Sequence, residues 1–192
     1  MPHDSAPPVL WIFGGPNGAG KTTTAKRVLK SQLDGLPFVN VDEIAARMNP
    51  LNPSESLIAA GREAIERIRE LRASRQSFVV ETTLASRGYL RTMAEFKMEG
   101  WECNLFFVGL ESAALSRARV DIRVADGGHD IPDADIVRRF DRINKNFPDY
   151  VRAADLALVF DNSRDKAILL AEIRQGMMRR RFGQSPLLEE FG

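Results

Sequence analysis

Cysteine is almost absent from this chain of 192 residues: Cys103 stands alone, which excludes an internal disulfide and any multi-cysteine zinc site. Histidine is nearly as scarce, and His3 and His129 leave little material for a histidine-rich metal site. No sign of charge is in excess, because 27 lysines and arginines face 26 carboxylates for a net +1. That balance argues against a chain drawn to nucleic acid or to an acidic membrane. Long hydrophobic runs are missing too: the longest are strand-sized, far short of the ~18 residues a membrane span needs. The first eight residues are polar and proline-rich, without the basic start of a secretory signal. What is plentiful is core material, at 44% hydrophobic residues. At roughly 150 residues per domain, these features predict one cytoplasmic domain over 1–192.

Hydrophobic patterning fills in the class. Residues 9–13 form a continuous apolar run that stops at glycines, as a parallel strand buried on both faces would. Further strands are expected at 38–42, 78–82, 103–110 and 155–160, each short and apolar. Helices are expected at 21–33, from an N-cap at Ser54 onward, at 89–98, 111–124, 133–146 and 165–178. In the second of these, Leu57, Ile58, Gly61, Ala64, Ile65, Ile68 and Leu71 recur at helical spacing. Five strands alternating with helices predict an α/β fold with a five-stranded, mainly parallel sheet. The tail 179–192 is expected to be frayed or docked.

The strongest motif is Gly15-Pro16-Asn17-Gly18-Ala19-Gly20-Lys21-Thr22, which fits the phosphate-binding P-loop. Glycines let successive backbone N–H groups point at phosphate oxygens, and the next helix adds its positive end. Gly15, Pro16, Asn17, Gly18, Ala19, Gly20, Lys21, Thr22 and Thr23 are therefore the candidate nucleotide ligands. Lys21 reaches the β- and γ-phosphates, and the Thr22 hydroxyl is the candidate ligand for Mg²⁺. A transporter-type ATPase has the same loop, but its signature stretch is missing, and Asp42 follows Thr22 by only 20 residues.

Ligands of open α/β sheets sit beyond the carboxyl ends of the strands. Asp42 is expected to close the second strand and Glu81 the third, both beside the loop. Asp42 is the candidate base for an acceptor hydroxyl. Glu81, with Thr82 and Thr83, is the candidate grip on the acceptor or on Mg²⁺-bound water. A helix cap is the plainer role for Asp42, and a strand-end ion pair the plainer one for Glu81. Phosphoryl transfer also needs cations around the developing charge. Residues 117–146 are arginine-rich and carry Gly127-Gly128, a plausible hinge for a helical lid. Ile136, Phe140, Ile143 and Phe147 fall on one helix face, which leaves Arg138, Arg142 and Lys145 facing solvent by default. Arg139 lies on the flank. Arg123 and Arg139 are the first candidates for the phosphate clamp, with Arg119 and Arg142 behind them. Structural roles suit His129, Cys103, Trp11 and Trp101 better than catalytic ones. The run Arg179-Arg180-Arg181 reads as a solvated helix end.

Taken in order, Gly14 to Thr22, Asn40-Val41-Asp42-Glu43-Ile44-Ala45, Glu81-Thr82-Thr83-Leu84, Gly127-Gly128-His129-Asp130-Ile131-Pro132, Arg138-Arg139-Phe140 and Asp161-Asn162-Ser163 resemble the zeta-toxin-like P-loop kinases, in their compact stand-alone branch. The resemblance implies a three-layer sandwich of the nucleoside-monophosphate-kinase type, with strand order 2-3-1-4-5 and a helical lid at about 117–146. It implies ATP and Mg²⁺ as cofactors, phosphorylation of a hydroxyl of UDP-N-acetylglucosamine, and a small antitoxin as partner. The family's Walker lysine corresponds to Lys21, its activating aspartate to Asp42 and its substrate-contacting glutamate to Glu81. Arg123 and Arg139 are the positions nearest its phosphate clamp. The alternative reading is a nucleotide-gated regulatory ATPase with little transfer activity. A nucleic-acid end kinase is a weaker third, set back by the balanced charge.

Overall fold

A computed structural model describes residues 6–128 and 130–191; His3 and His129 lie outside the described residues. One sheet of seven strands organises the chain, in the order β2-β3-β1-β4-β5-β6-β7. Its first five members are β1 (Val9–Gly14), β2 (Phe38–Asn40), β3 (Phe78–Glu81), β4 (Glu102–Gly109) and β5 (Leu156–Asp161). They pair in parallel, so all their carboxyl ends share one edge. Both faces are buried because both faces are apolar. Leu10 and Ile12 enter one core and Trp11 and Phe13 the other, the period-two alternation of a strand.

Among the described residues, seven α-helices supply the outer layers. α1 (Lys21–Val28), α2 (Lys30–Leu33) and α6 (Ala113–Ala125) contribute to the Trp11–Phe13 core. α3 (Val41–Met48), α4 (Leu57–Ala73), α5 (Gly88–Met98) and α7 (Asp133–Ala153) pack on the Leu10–Ile12 side. Phe140, near the start of α7, instead reaches the Trp11–Phe13 core. Ile136 and Ile143 are buried on α7, with Phe147, as the helical spacing predicts. A small third core of Val120, Ile131 and Ile136 ties α6 to α7. Among the described residues no helix is long and apolar enough to cross a membrane.

Several expectations need correction. The sheet has seven strands, not five, because 165–178 is not a helix. It contains β6 (Ile168–Arg174) and leads into β7 (Met177–Arg181), an antiparallel hairpin continuing from β5. Gln175 and Gly176 turn the chain with φ of 50° and 73°, the left-handed pair that suits a two-residue hairpin. Arg179, Arg180 and Arg181 therefore sit on an exposed edge strand, where charge discourages pairing with another sheet. The tail is docked: Leu188 and Phe191 are buried, and Phe191 meets Phe147 edge-on. The helix expected at 21–33 breaks at Leu29, and α7 runs past Asn146 to Ala153 with Pro148 inside it. Ser54 is no N-cap; it lies in a 3-10 turn, Pro53–Ser56, and bonds the Asn52 side chain. β2 stops at Asn40, whose side chain caps α3 by accepting from the Asp42 N–H at 2.9 Å. Asp42 thus stands in the first turn of α3 and not on the strand, and Asn40 supplies the cap.

Candidate active site

The loop after β1 is built for close backbone approach. Gly15 has a φ of 140°, and a Cβ there would lie 2.1 Å from the Val108 carbonyl oxygen. Gly20, at φ 73°, starts α1 from a left-handed conformation. Neighbouring elements pin the loop. The fully buried Ser116 donates to the Asn17 carbonyl at 2.7 Å, and Asn162 donates to the Ala19 carbonyl at 2.9 Å. Arg119 crowds Gly18, where a Cβ would come within 2.9 Å of its own. Thr23 points to solvent.

Lys21 is buried, with its ammonium donating to the carbonyls of Gly15 and Pro16 at 3.2 Å each. Glu81 lies 3.7 Å away and also accepts the Thr22 hydroxyl. Burial pushes the Lys21 pKa down; Glu81 and then Asp42 oppose that shift, and Arg123 adds to it. Lys21, Thr22, Asp42, Glu81 and Arg123 therefore share one electrostatic neighbourhood. Glu81 is delivered by register, since Phe13 of β1 sits opposite it. Glu43, next to Asp42, has its carboxyl pushed up, first by burial and then by Glu81.

A cavity of about 380 Å³ opens beside this cluster. Asp42 of α3 and Glu81, Thr82 and Thr83 at the end of β3 line it together with Arg138, Arg139 and Arg142 of α7. Arg139 is half-buried and lies 3.9 Å from Asp135, while Arg138 bonds Asp135 at 2.8 Å. Arg123 does not line the cavity; it closes α6, and its carbonyl accepts from the Gly128 N–H at 2.8 Å. The geometry thus gathers Lys21, Thr22, Asp42, Glu81, Thr82 and Arg139. Arg138 and Arg142 are exposed, as the helical spacing predicts, and they also stand at the rim of the cavity. Tyr89, which lines the cavity, and Ser116, which pins the loop, carried no signal in the sequence, whereas Arg138 had one in the Arg138-Arg139-Phe140 stretch. Asn162 had its signal in the Asp161-Asn162-Ser163 stretch.

Among the described residues no three histidines, cysteines or carboxylates cluster to cage a metal. The donors present, a threonine hydroxyl and a carboxylate in mutual hydrogen bond beside a phosphate loop, fit Mg²⁺. That ion takes few protein ligands and relies on substrate phosphates and water.

Comparisons with known proteins bear on the family and the fold. The Zeta toxin family model matches residues 1–173. An uncharacterized protein of Haemophilus influenzae is 34% identical over 138 residues, covering 67% of this chain and 94% of its own. The AvrRxo1-ORF1:ORF2 complex with ATP superposes with a TM-score of 0.72 at 17% identity, covering 92% of this chain. This chain spans only 61% of that matched chain. The PezAT chromosomal toxin-antitoxin system of Streptococcus pneumoniae superposes at 0.61 and 16% identity, covering 87% of this chain and 72% of its own.

Proposed function

The chain belongs to the Zeta toxin family, and on that premise we propose that it transfers the γ-phosphoryl group of ATP, with Mg²⁺, to a hydroxyl of a small molecule, UDP-N-acetylglucosamine being the leading acceptor. One observation carries this reading. The cavity beside Lys21 and Thr22 is lined by two carboxylates and three guanidinium groups. A hydroxyl acceptor bearing phosphate needs both sets, one to take a proton and one to balance charge.

Asp42 accepts the proton as the acceptor oxygen bonds to the γ-phosphorus and ADP departs. Its place in the first turn of α3 leaves the carboxylate exposed to the cavity. Glu81 orients the acceptor, and Thr82 flanks it. Lys21 neutralises the phosphates, Thr22 offers its hydroxyl to Mg²⁺, and the ion supplies further neutralisation when bound. Arg139 faces the transferring group from α7, and Arg123 acts from the end of α6. The α6–α7 connection around Gly127 and Gly128 serves as the lid joint. The whole chain works as one domain in the cytoplasm, where ATP is supplied. An antitoxin covering the phosphate loop is the protein partner this reading implies.

Asp42→Asn tests the assignment. The variant should retain ATP affinity and lose transfer by at least about 10²-fold, the scale of general-base catalysis. Full transfer activity would remove Asp42 as the base.

A further inference from the structure

The cluster around Lys21 lies at the carboxyl edge of the sheet. At the amino edge a separate cleft of about 550 Å³ opens, between the turn that leads from α5 into β4 and the turn that joins β6 to β7. The six residues of β1, about 20 Å of strand, separate it from the phosphate loop. Neither ATP at the loop nor an acceptor at Asp42 reaches it.

Two of its walls are built in ways the fold alone does not require. Trp101 is held rigidly: Phe96 and Phe78 meet its ring edge-on at 4.8 and 5.8 Å, and the Arg75 guanidinium lies over it at 5.9 Å. The residue is only 4% exposed, yet its indole N–H has no acceptor among the described residues. A buried tryptophan N–H ordinarily has one. Arg179 reaches the cleft from a β-bulge. Met178 pairs with Ile173 and Arg180 with Glu172, so Arg179 is the extra residue of β7, and a bulge re-aims the side chain it carries.

The charges of the cleft divide into engaged and spare. Two carboxylates, Glu102 and Asp155, and two guanidinium groups, Arg174 and Arg179, line it. Asp155 is engaged, pairing with Lys97 at 2.9 Å and accepting the Cys103 N–H at 2.9 Å. Arg174 is engaged as well, donating to Glu172 at 3.0 Å. Arg179 has neither an ion pair nor a hydrogen bond among the described residues. Glu102 accepts from the Asn104 amide through one oxygen, at 2.8 Å, and pairs with no cation among the described residues. One spare cation and one spare carboxylate therefore share the cleft without meeting. A lone anion would satisfy Arg179 and be repelled by Glu102, and a lone cation would meet the reverse. A small molecule carrying both charges satisfies both.

We propose that this cleft binds a free amino acid as its zwitterion, with the carboxylate on Arg179 and the Trp101 N–H, the ammonium on Glu102, and the side chain against Pro7 and the Trp101 ring. The Gln175 amide, in the adjoining turn, offers a donor and an acceptor to the same ligand. The site is independent of the kinase reading, because none of its residues belongs to the cluster around Lys21.

The test is titration calorimetry of the full chain with each of the twenty amino acids, with acetate and methylammonium as probes of single charge. At least one amino acid should bind, and both single-charge probes should bind it at least about tenfold more weakly. Arg179→Gln and Glu102→Gln should each weaken the amino acid by about tenfold or more, the effect of losing one charge-assisted contact. Trp101→Phe, which keeps a ring and removes the N–H, should weaken it too. Arg179 is exposed and unpartnered, so Arg179→Gln should leave Tm and ATP binding unchanged, which excludes misfolding as the cause of lost binding. Three results overturn the proposal: none of the twenty binds, binding survives both charge variants, or acetate or methylammonium binds as tightly as the amino acid.

Discussion

Glu81→Gln separates what Glu81 does for the fold from what it does for ligands. The carboxylate holds Lys21 at 3.7 Å and accepts the Thr22 hydroxyl, and both ionic side chains are mostly buried, at 8% and 15% exposure. The Coulomb attraction at that distance is about 4 kcal/mol for an effective dielectric of about 20. Desolvating the two charges offsets most of it. Turning the charge-assisted bond from Thr22 into a neutral one removes about 1 kcal/mol more. Lys21 keeps its two carbonyl acceptors, so its ammonium is not stranded. The expected net loss is about 1–3 kcal/mol in urea unfolding at neutral pH. Ligand binding should move the other way, because Glu81 holds the same ammonium and hydroxyl that ATP and Mg²⁺ would engage. Titration calorimetry without Mg²⁺ should show ATP binding tightened about three- to tenfold in the variant, with acceptor-dependent turnover lost. ATP binding weakened tenfold without Mg²⁺, or unchanged stability, would refute the reasoning.

Two further expectations are independent of transfer. Burial pushes the Cys103 thiol up to about 12, so at pH 9 the folded protein should resist thiol-labelling reagents and react fully only after denaturation; rapid labelling of the native chain would contradict its place in the core. Arg117 donates to the Ile131 carbonyl at 2.6 Å and pairs with Asp121, Asp130 and Asp133. Arg117→Gln should therefore raise hydrogen exchange about tenfold at the Gly128 amide, and unchanged exchange there would remove Arg117 as the pin of the α6–α7 joint.

The sequence discloses this molecule unevenly, for physical reasons. The buried strand before Gly15 and the helix after Lys21 are local patterns, and so are the carboxylates that follow the next two strands. Local pattern was enough to bring Asp42 and Glu81 beside Lys21. It misplaced Asp42 on a strand because Asn40 ends β2 with a cap, and a cap depends on backbone geometry. The apolar residues of 168–173 satisfy helical and strand spacing alike; the Gln175-Gly176 turn was the available signal for a hairpin. A helical wheel shows which face of α7 meets the core, and it correctly chose Ile136, Ile143 and Phe147. It says nothing of what stands across from the other faces, so the exposed Arg138 and Arg142 gave no sign that they also border the cavity.

The most direct test of the central claim is ADP release by the purified protein with Mg²⁺-ATP, with and without UDP-N-acetylglucosamine, following phosphate by mass spectrometry. The account predicts acceptor-stimulated ADP release and a sugar nucleotide heavier by one phosphate. ATP binding with no phosphate on that acceptor would contradict the named acceptor, and ATP turnover that no hydroxyl compound stimulates would contradict phosphotransfer itself.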